Sequence, residues 1–178
     1  APLPAILVAR LYGKPVLLNY HSGEADGHLR TSGLARTVLR RYVAVNVVPS
    51  LFLKDVFSRF GIDAAVIGNT VDRRDFTYRV RDLRRRPLTL LSTRNFEPVY
   101  NVACTLRAFA LVQAHCPDVT LTLVGSGSQQ PALEMLAAAL GIHGVNFVGS
   151  VVPQEIPSYC AIADIYIQTP AAANMPLS

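Results

Sequence analysis

The sequence predicts an α/β chain carrying two parallel-sheet domains of the doubly wound type, both incomplete within its 178 residues. Three observations predict it. Short apolar or β-branched runs alternate with helical patterns along the whole chain, the order that builds parallel sheets with crossover helices. A single arginine-rich stretch of weak hydrophobic periodicity interrupts the alternation, so two series are present. Each series offers only a few strands and is entered or left in mid-pattern, so a fragment cut inside a domain at both ends is expected. A hydrophobic share of 51% and a mean hydropathy of +0.29 fit a folded core and exclude a disordered chain.

Taken in order, residues 1–10 are apolar and lack a basic leader, so they read as running straight into a strand rather than as a signal peptide. No apolar run approaches the roughly 20 residues of a membrane span. Residues 15–20 (P-V-L-L-N-Y) form a short strand, residues 29–40 a basic helix, and residues 42–48 a β-branched strand. Ser50 caps a helix whose Leu53, Val56, Phe57 and Phe60 share one face; Gly61 ends it, and residues 64–67 make a third strand. The stretch 73–87 reads as a linker.

The second series opens with a strand at 88–92. Asn101 is placed to cap a helix that turns Val102, Leu106, Phe109 and Ala110 inward and stops at Cys116-Pro117. A strand at 120–124 follows. Pro131 then opens a helix carrying Leu133, Leu136 and Leu140, closed by Gly141. Residues 145–148 form a strand, Ile156, Tyr159, Cys160 and Ala163 mark a helix, and residues 165–168 form a last strand.

The net charge is +5, and much of the excess is Arg73, Arg74, Arg79, Arg81, Arg84, Arg85 and Arg86. Such a cluster is either a solvated interdomain segment or an attractor of phosphate, nucleic acid or an anionic bilayer. No aromatic residue lies among Arg79, Arg81, Arg84, Arg85 and Arg86, as nucleic-acid stacking would require, so no nucleic-acid partner is expected. The three cysteines, Cys104, Cys116 and Cys160, form no C-x-x-C. They read as reduced, cytoplasmic thiols on apolar helix faces.

Two loops carry the chemistry. Residues 90–100 (L-L-S-T-R-N-F-E-P-V-Y) run from a strand into a loop with Arg94, and Val124-Gly125-Ser126-Gly127 run from the next strand into a glycine turn. Loops of this kind at the carboxyl ends of neighbouring strands make an anion-binding rim. Arg94 can fork onto a diphosphate, or pair with Glu97 as a surface salt bridge. Gly125 and Gly127 either make a tight turn or admit a phosphate or ribose. The third glycine of a dinucleotide fingerprint is replaced by Gln130, which argues against a nicotinamide site. His21, at the end of P-V-L-L-N-Y-H, can donate to a substrate hydroxyl or be structural. No Ser/His/Asp triad, H-E-x-x-H or D-x-D occurs, and the histidines lack metal-ligand spacing.

In combination these segments resemble the middle of a family 4 glycosyltransferase of the GT-B fold, with two Rossmann-like domains. G-K-P-V-L-L-N-Y-H is similar to the end of that family's acceptor domain, V-V-P-S to its "V-x-S" turn, and V-I-G-N-T-V-D with Phe76 to its "I-x-N-G-V-D…F" segment. Residues 90–101 resemble the "V-G-R…K-G" loop, 121–127 the "L-x-L-V-G-x-G" turn, and F-V-G-S-V before A-D-I-Y-I-Q-T-P the "F-x-G-x-V" segment. The resemblance implies residues 1–72 as acceptor-side domain, 73–87 as basic linker and 88–178 as nucleotide-sugar donor domain. It implies retaining transfer of a sugar from a nucleotide diphosphate sugar to a carbohydrate or glycolipid acceptor, with protein cations in place of a metal and no cofactor. Arg94 would meet the diphosphate, Gly125 and Gly127 would line the nucleotide, Val151 would touch the base, and His21 would sit near the transferred sugar. A role in polysaccharide or glycolipid synthesis follows by the same resemblance, with a cytoplasmic location and peripheral contact with an anionic membrane face.

Three departures stand out. Tyr100 replaces the family's lysine, Ala173 stands where its late glutamate pair begins, and the amino-terminal glycine loop is not in this sequence. The fragment itself is therefore expected to be inactive. Two alternatives remain: a sugar-nucleotide binding module without turnover, and a nucleotide-sugar epimerase of the same fold.

Overall fold

The computed structural model describes residues 3–72, 74–84 and 87–170. These fall into two compact units that part between Val71 and Asp72. Both are α/β with wholly parallel sheets, as the alternation of elements predicts.

The first unit contains α1 (Leu3–Leu11), β1 (Leu17–Asn19), α2 (Ala25–Thr31), α3 (Gly33–Arg41), β2 (Val45–Val48), α4 (Leu51–Arg59) and β3 (Ala65–Val66). Its sheet order is β1-β2-β3. The β-branched run V-N-V-V makes β2 the central strand, and Val48 is fully buried against Leu29, Leu53, Val56 and Phe57. The predicted cap is present: the Leu53 amide donates to Ser50 Oγ at 3.2 Å. Gly61 follows the helix at φ +64°, a conformation that favours glycine.

Two expectations are corrected here. Residues 1–10 do not run straight into a strand, because Leu3–Leu11 is helical. Leu3 and Ile6, one turn apart, pack on the core, and Gly13 at φ +65° follows the helix. The single basic helix predicted at 29–40 is two helices. Ser32 ends α2 and caps α3 by accepting from the Ala35 amide at 3.1 Å. Arg36 reaches back to the carbonyls of Leu29 and Arg30 and so satisfies the end of α2. A cap residue inside a helical period outweighs the period.

The second unit contains β4 (Thr89–Ser92), a 3₁₀ turn (Pro98–Tyr100), α5 (Val102–His115), β5 (Thr120–Val124), α6 (Gln130–Ala139), β6 (Val145–Gly149), a second 3₁₀ turn (Pro153–Glu155), α7 (Ile156–Ile162) and β7 (Ile165–Tyr166). The sheet order is β6-β5-β4-β7. Leu106, Phe109, Leu121 and Leu123 are fully buried in its core. The strand β7 is short, but the Asp164 carboxylate accepts from the Thr89 amide at 2.9 Å, and the Ile167 amide donates to the Leu91 carbonyl at 2.8 Å. These bonds fix the register of β7 on β4, and with it the position of the loop that follows.

Asn101 stands at the start of α5 but does not cap it with its side chain. It is left-handed, at φ 50° and ψ 44°, and its amide closes the preceding 3₁₀ turn on Pro98. Cys104 is exposed, not on the core face; Cys116 and Cys160 are half-buried. Burial pushes the Cys160 thiol above its ordinary value. The described arginines of the basic stretch lie outside helix and strand. Arg74 forks onto the Asp72 carboxylate, and Arg81 donates to the Ala161 carbonyl at 2.6 Å, closing the end of α7. Arg73, Arg85 and Arg86 lie outside the described residues.

Candidate functional site

Because every strand of the second sheet is parallel, the loops leaving β4, β5, β6 and β7 gather at one edge. Arg94, Gly125, Gly127 and Val151 all belong to those loops, and Tyr100 closes the first of them. His21 follows β1 in the first unit and is exposed.

Backbone contacts lock the loops together. The Phe96 amide donates to the Ser126 carbonyl at 2.9 Å, the Gln129 amide to the Phe96 carbonyl at 2.9 Å, and the Gly125 amide to the Gly149 carbonyl at 2.9 Å. Ser126 and Ser150 join their hydroxyls at 2.6 Å. Phe96 is the plug that holds this arrangement: it is 1% exposed and meets the Phe147 ring edge-on at 6.0 Å. The glycines serve the same contact. A Cβ on Gly125 would lie 2.4 Å from the Arg94 carbonyl oxygen, and one on Gly127 would lie 2.6 Å from that of Phe96. The tight-turn reading of the two glycines therefore has a specific cause: the Arg94 loop passes directly against their backbone.

Glu97 is not the partner of Arg94. Its carboxylate accepts from the Ser128 amide at 2.9 Å and the Ser128 hydroxyl at 2.6 Å. The hydroxyl first and the amide second hold its carboxyl below the ordinary value. A folded-state value below the unfolded one contributes stability that is fully present above an unfolded value of about 4.3 and lost as pH falls through the folded-state value. Acidification far enough to protonate this carboxyl is thus expected to lower the hydrogen-exchange protection of the Ser128 amide, taken relative to that of Leu121 in the core. Equal protection ratios at pH 6 and after the carboxyl has been titrated to its protonated form, followed by its own NMR shift, would refute the tie.

Arg94 is only 7% exposed. Its Nε donates to Gln168 Oε1 at 2.9 Å and its Nη2 bonds the same oxygen. Its guanidinium carbon lies 5.5 Å from the centre of the Tyr100 ring, within cation–π range. Among the described residues no carboxylate pairs with it. A buried cation whose partners are all neutral can attract an anion strongly, since the low-dielectric setting screens little. Sequence reasoning missed Gln168 and Phe96. Gln168 stands far from Arg94 in sequence, and Phe96 carries no signal that separates a loop plug from an ordinary apolar residue.

Val151 is half-buried beside the glycine turn's partner Ser150. Ala173 lies outside the described residues. Among those described, no group of three His, Cys, Asp or Glu side chains could hold a metal ion, and no helix is long and apolar enough to cross a membrane.

Comparison with known proteins gives a consistent result. The family described as glycosyl transferases group 1 matches residues 74–178. A phosphatidyl-myo-inositol mannosyltransferase of Propionibacterium freudenreichii is 28% identical, over 94% of this chain and 43% of its own length. Among solved structures, Anabaena Alr3699/HepE in complex with UDP-glucose superposes with a TM-score of 0.77 at 21% identity, over 96% of this chain and 50% of that one. The lipopolysaccharide outer core galactosyltransferase WaaB superposes at 0.67 with 18% identity, over 95% of this chain and 47% of that one. The chain spans about half the length of the relatives it matches.

Proposed function

Since this chain belongs to the glycosyl transferases group 1 family and has the GT-B fold, we propose that the intact protein transfers a sugar from a nucleotide diphosphate sugar to an acceptor. The observation that carries this reading is Arg94: a buried guanidinium whose partners among the described residues are neutral, set beside a glycine turn at the carboxyl edge of a parallel sheet. Departure of a nucleoside diphosphate develops negative charge, and a preorganised guanidinium stabilises it without a metal. Gly125 and Gly127, whose missing side chains make room for the Arg94 loop, would line the nucleotide through their backbone, and Val151 would offer the base an apolar side chain. His21, from the first unit, would act near the transferred sugar.

The finer points belong to the same proposal. Transfer proceeds with retention, the sugar is a hexose, and no metal takes part. Residues 1–72 form the acceptor side, 73–87 the linker, and 88–178 the donor side. One solved relative is described with UDP-glucose and one curated relative as a phosphatidyl-myo-inositol mannosyltransferase. They support a nucleotide-sugar donor and a carbohydrate or glycolipid acceptor; a cytoplasmic site with peripheral contact at an anionic membrane face is part of the same proposal. The test is transfer of labelled hexose from UDP- and GDP-sugars by the intact protein, with and without EDTA, and the anomeric configuration of the product read by proton NMR. Retained configuration and EDTA-independent turnover are expected. Tyr100, in place of a second cation, favours one rival, a binding module; donor binding with neither transfer nor hydrolysis would establish that rival.

A further inference from the structure

In the second sheet the chain winds from β4 outward through β5 to β6, then returns to lay β7 on the other side of β4. The gap between the ends of β4 and β7 is the point where the winding reverses, and such points are where open α/β sheets hold ligands. Two side chains meet across it: Arg94 from the loop after β4 and Gln168 from the loop after β7. Gln168 is delivered there by the Asp164 and Ile167 bonds that fix β7 on β4, and by the Thr93 hydroxyl, which meets the Tyr166 hydroxyl at 2.7 Å.

The chemistry of this pair is selective. Residues such as arginine are rarely this buried unless paired with a carboxylate. Here the partner on the edge of the guanidinium is an amide oxygen, and the partner on its face is the Tyr100 ring. Glu97, the acid of the same loop, is turned to Ser128. Among the described residues, the groups that orient the side chain cancel none of its charge.

We infer that Gln168 is a positioning residue for an anion-binding Arg94: it fixes the guanidinium through a neutral acceptor and so leaves the charge free for a diphosphate. This rests on the proposed function. A glutamate at 168 would keep the shape and the acceptor but add a competing negative charge, whereas a leucine would remove the acceptor and leave the charge unopposed.

The experiment uses the intact protein, with calorimetric titration of inorganic pyrophosphate and thermal unfolding measured on each variant. Gln168→Glu is expected to weaken pyrophosphate binding tenfold or more while holding or raising the unfolding midpoint. Gln168→Leu is expected to weaken binding less than Gln168→Glu does. A purely structural role would move affinity and midpoint together, so a loss of binding matched by a lowered midpoint in Gln168→Glu overturns the inference, as does wild-type affinity in that variant. Arg94→Ala separates the two levels. If it binds pyrophosphate like the wild type, the proposed function fails and the inference with it. If it loses binding while Gln168→Glu keeps it, only the role of Gln168 fails.

Discussion

Arg94→Ala in the intact protein is expected to slow sugar transfer by about 10²–10³-fold, the usual cost of removing one preorganised donor from developing negative charge. Most of the loss should appear in kcat, because the leaving diphosphate gains charge on the way to the transition state and the guanidinium stabilises it most there. Arg94→Lys should recover only part of the activity. An ammonium supplies charge, but it cannot fork onto a diphosphate while also bonding Gln168 Oε1 and stacking on Tyr100. The fold should tolerate Arg94→Ala, since it removes a buried cation that no carboxylate among the described residues pairs with and so relieves a desolvation cost. Steady-state kinetics beside a thermal unfolding curve check this. Activity within a few-fold of wild type in a folded Arg94→Ala protein would remove the central support of the proposed function.

The parts of this molecule legible in the sequence are those set by neighbours in the chain. Ser50 before a helical period, Gly61 after it, Pro131 in a first turn and the β-branched strand at 120–124 each declare themselves within a few residues. The split at Ser32 and the helix at Leu3–Leu11 were local as well, but two local signals conflicted there. At Ser32 a cap competed with a continuing period, and in the first helix an apolar run gave no polar face to mark the turn. The site was half legible. Arg94 and the glycines could be placed on neighbouring strand ends because strand succession gives parallel neighbours. What could not be read was which strand would close the other side of β4. The order β6-β5-β4-β7 brings Gln168 to Arg94, and no local pattern encodes that return. Of the two alternatives for Arg94, the pairing with Glu97 does not form, because Ser128 offers that carboxylate both an amide and a hydroxyl.

Gly125→Ala should damage stability and activity together, and a control glycine can separate the two. At Gly125 a methyl group would meet the carbonyl oxygen of Arg94 at 2.4 Å and its carbon at 2.9 Å, from a backbone at φ +147° that L side chains rarely adopt. The obstructing atoms are backbone, and they cannot drift away freely. Phe96 anchors the loop in the core and bonds Ser126 and Gln129 through its own backbone. The expected cost is about 2–4 kcal/mol, combining overpacking with backbone strain. Whatever relief the protein finds must displace Arg94, and a shift near 1 Å of a positioned group costs about 10²-fold in rate. Gly127→Ala meets the Phe96 oxygen at 2.6 Å and a Glu97 carboxylate oxygen at 2.7 Å. Without unfavourable φ, it should cost about 1–3 kcal/mol and a smaller share of activity. Gly141→Ala is the control: its φ of +63° makes it strained, but no atom lies within 4 Å of the added methyl. It should lower stability by about 1–2 kcal/mol and leave the transfer rate of the folded protein unchanged. Denaturant unfolding and rates measured well below each variant's midpoint give the comparison. If Gly125→Ala loses no more activity than Gly141→Ala, the glycine turn only shapes the strand end and does not hold Arg94 in place.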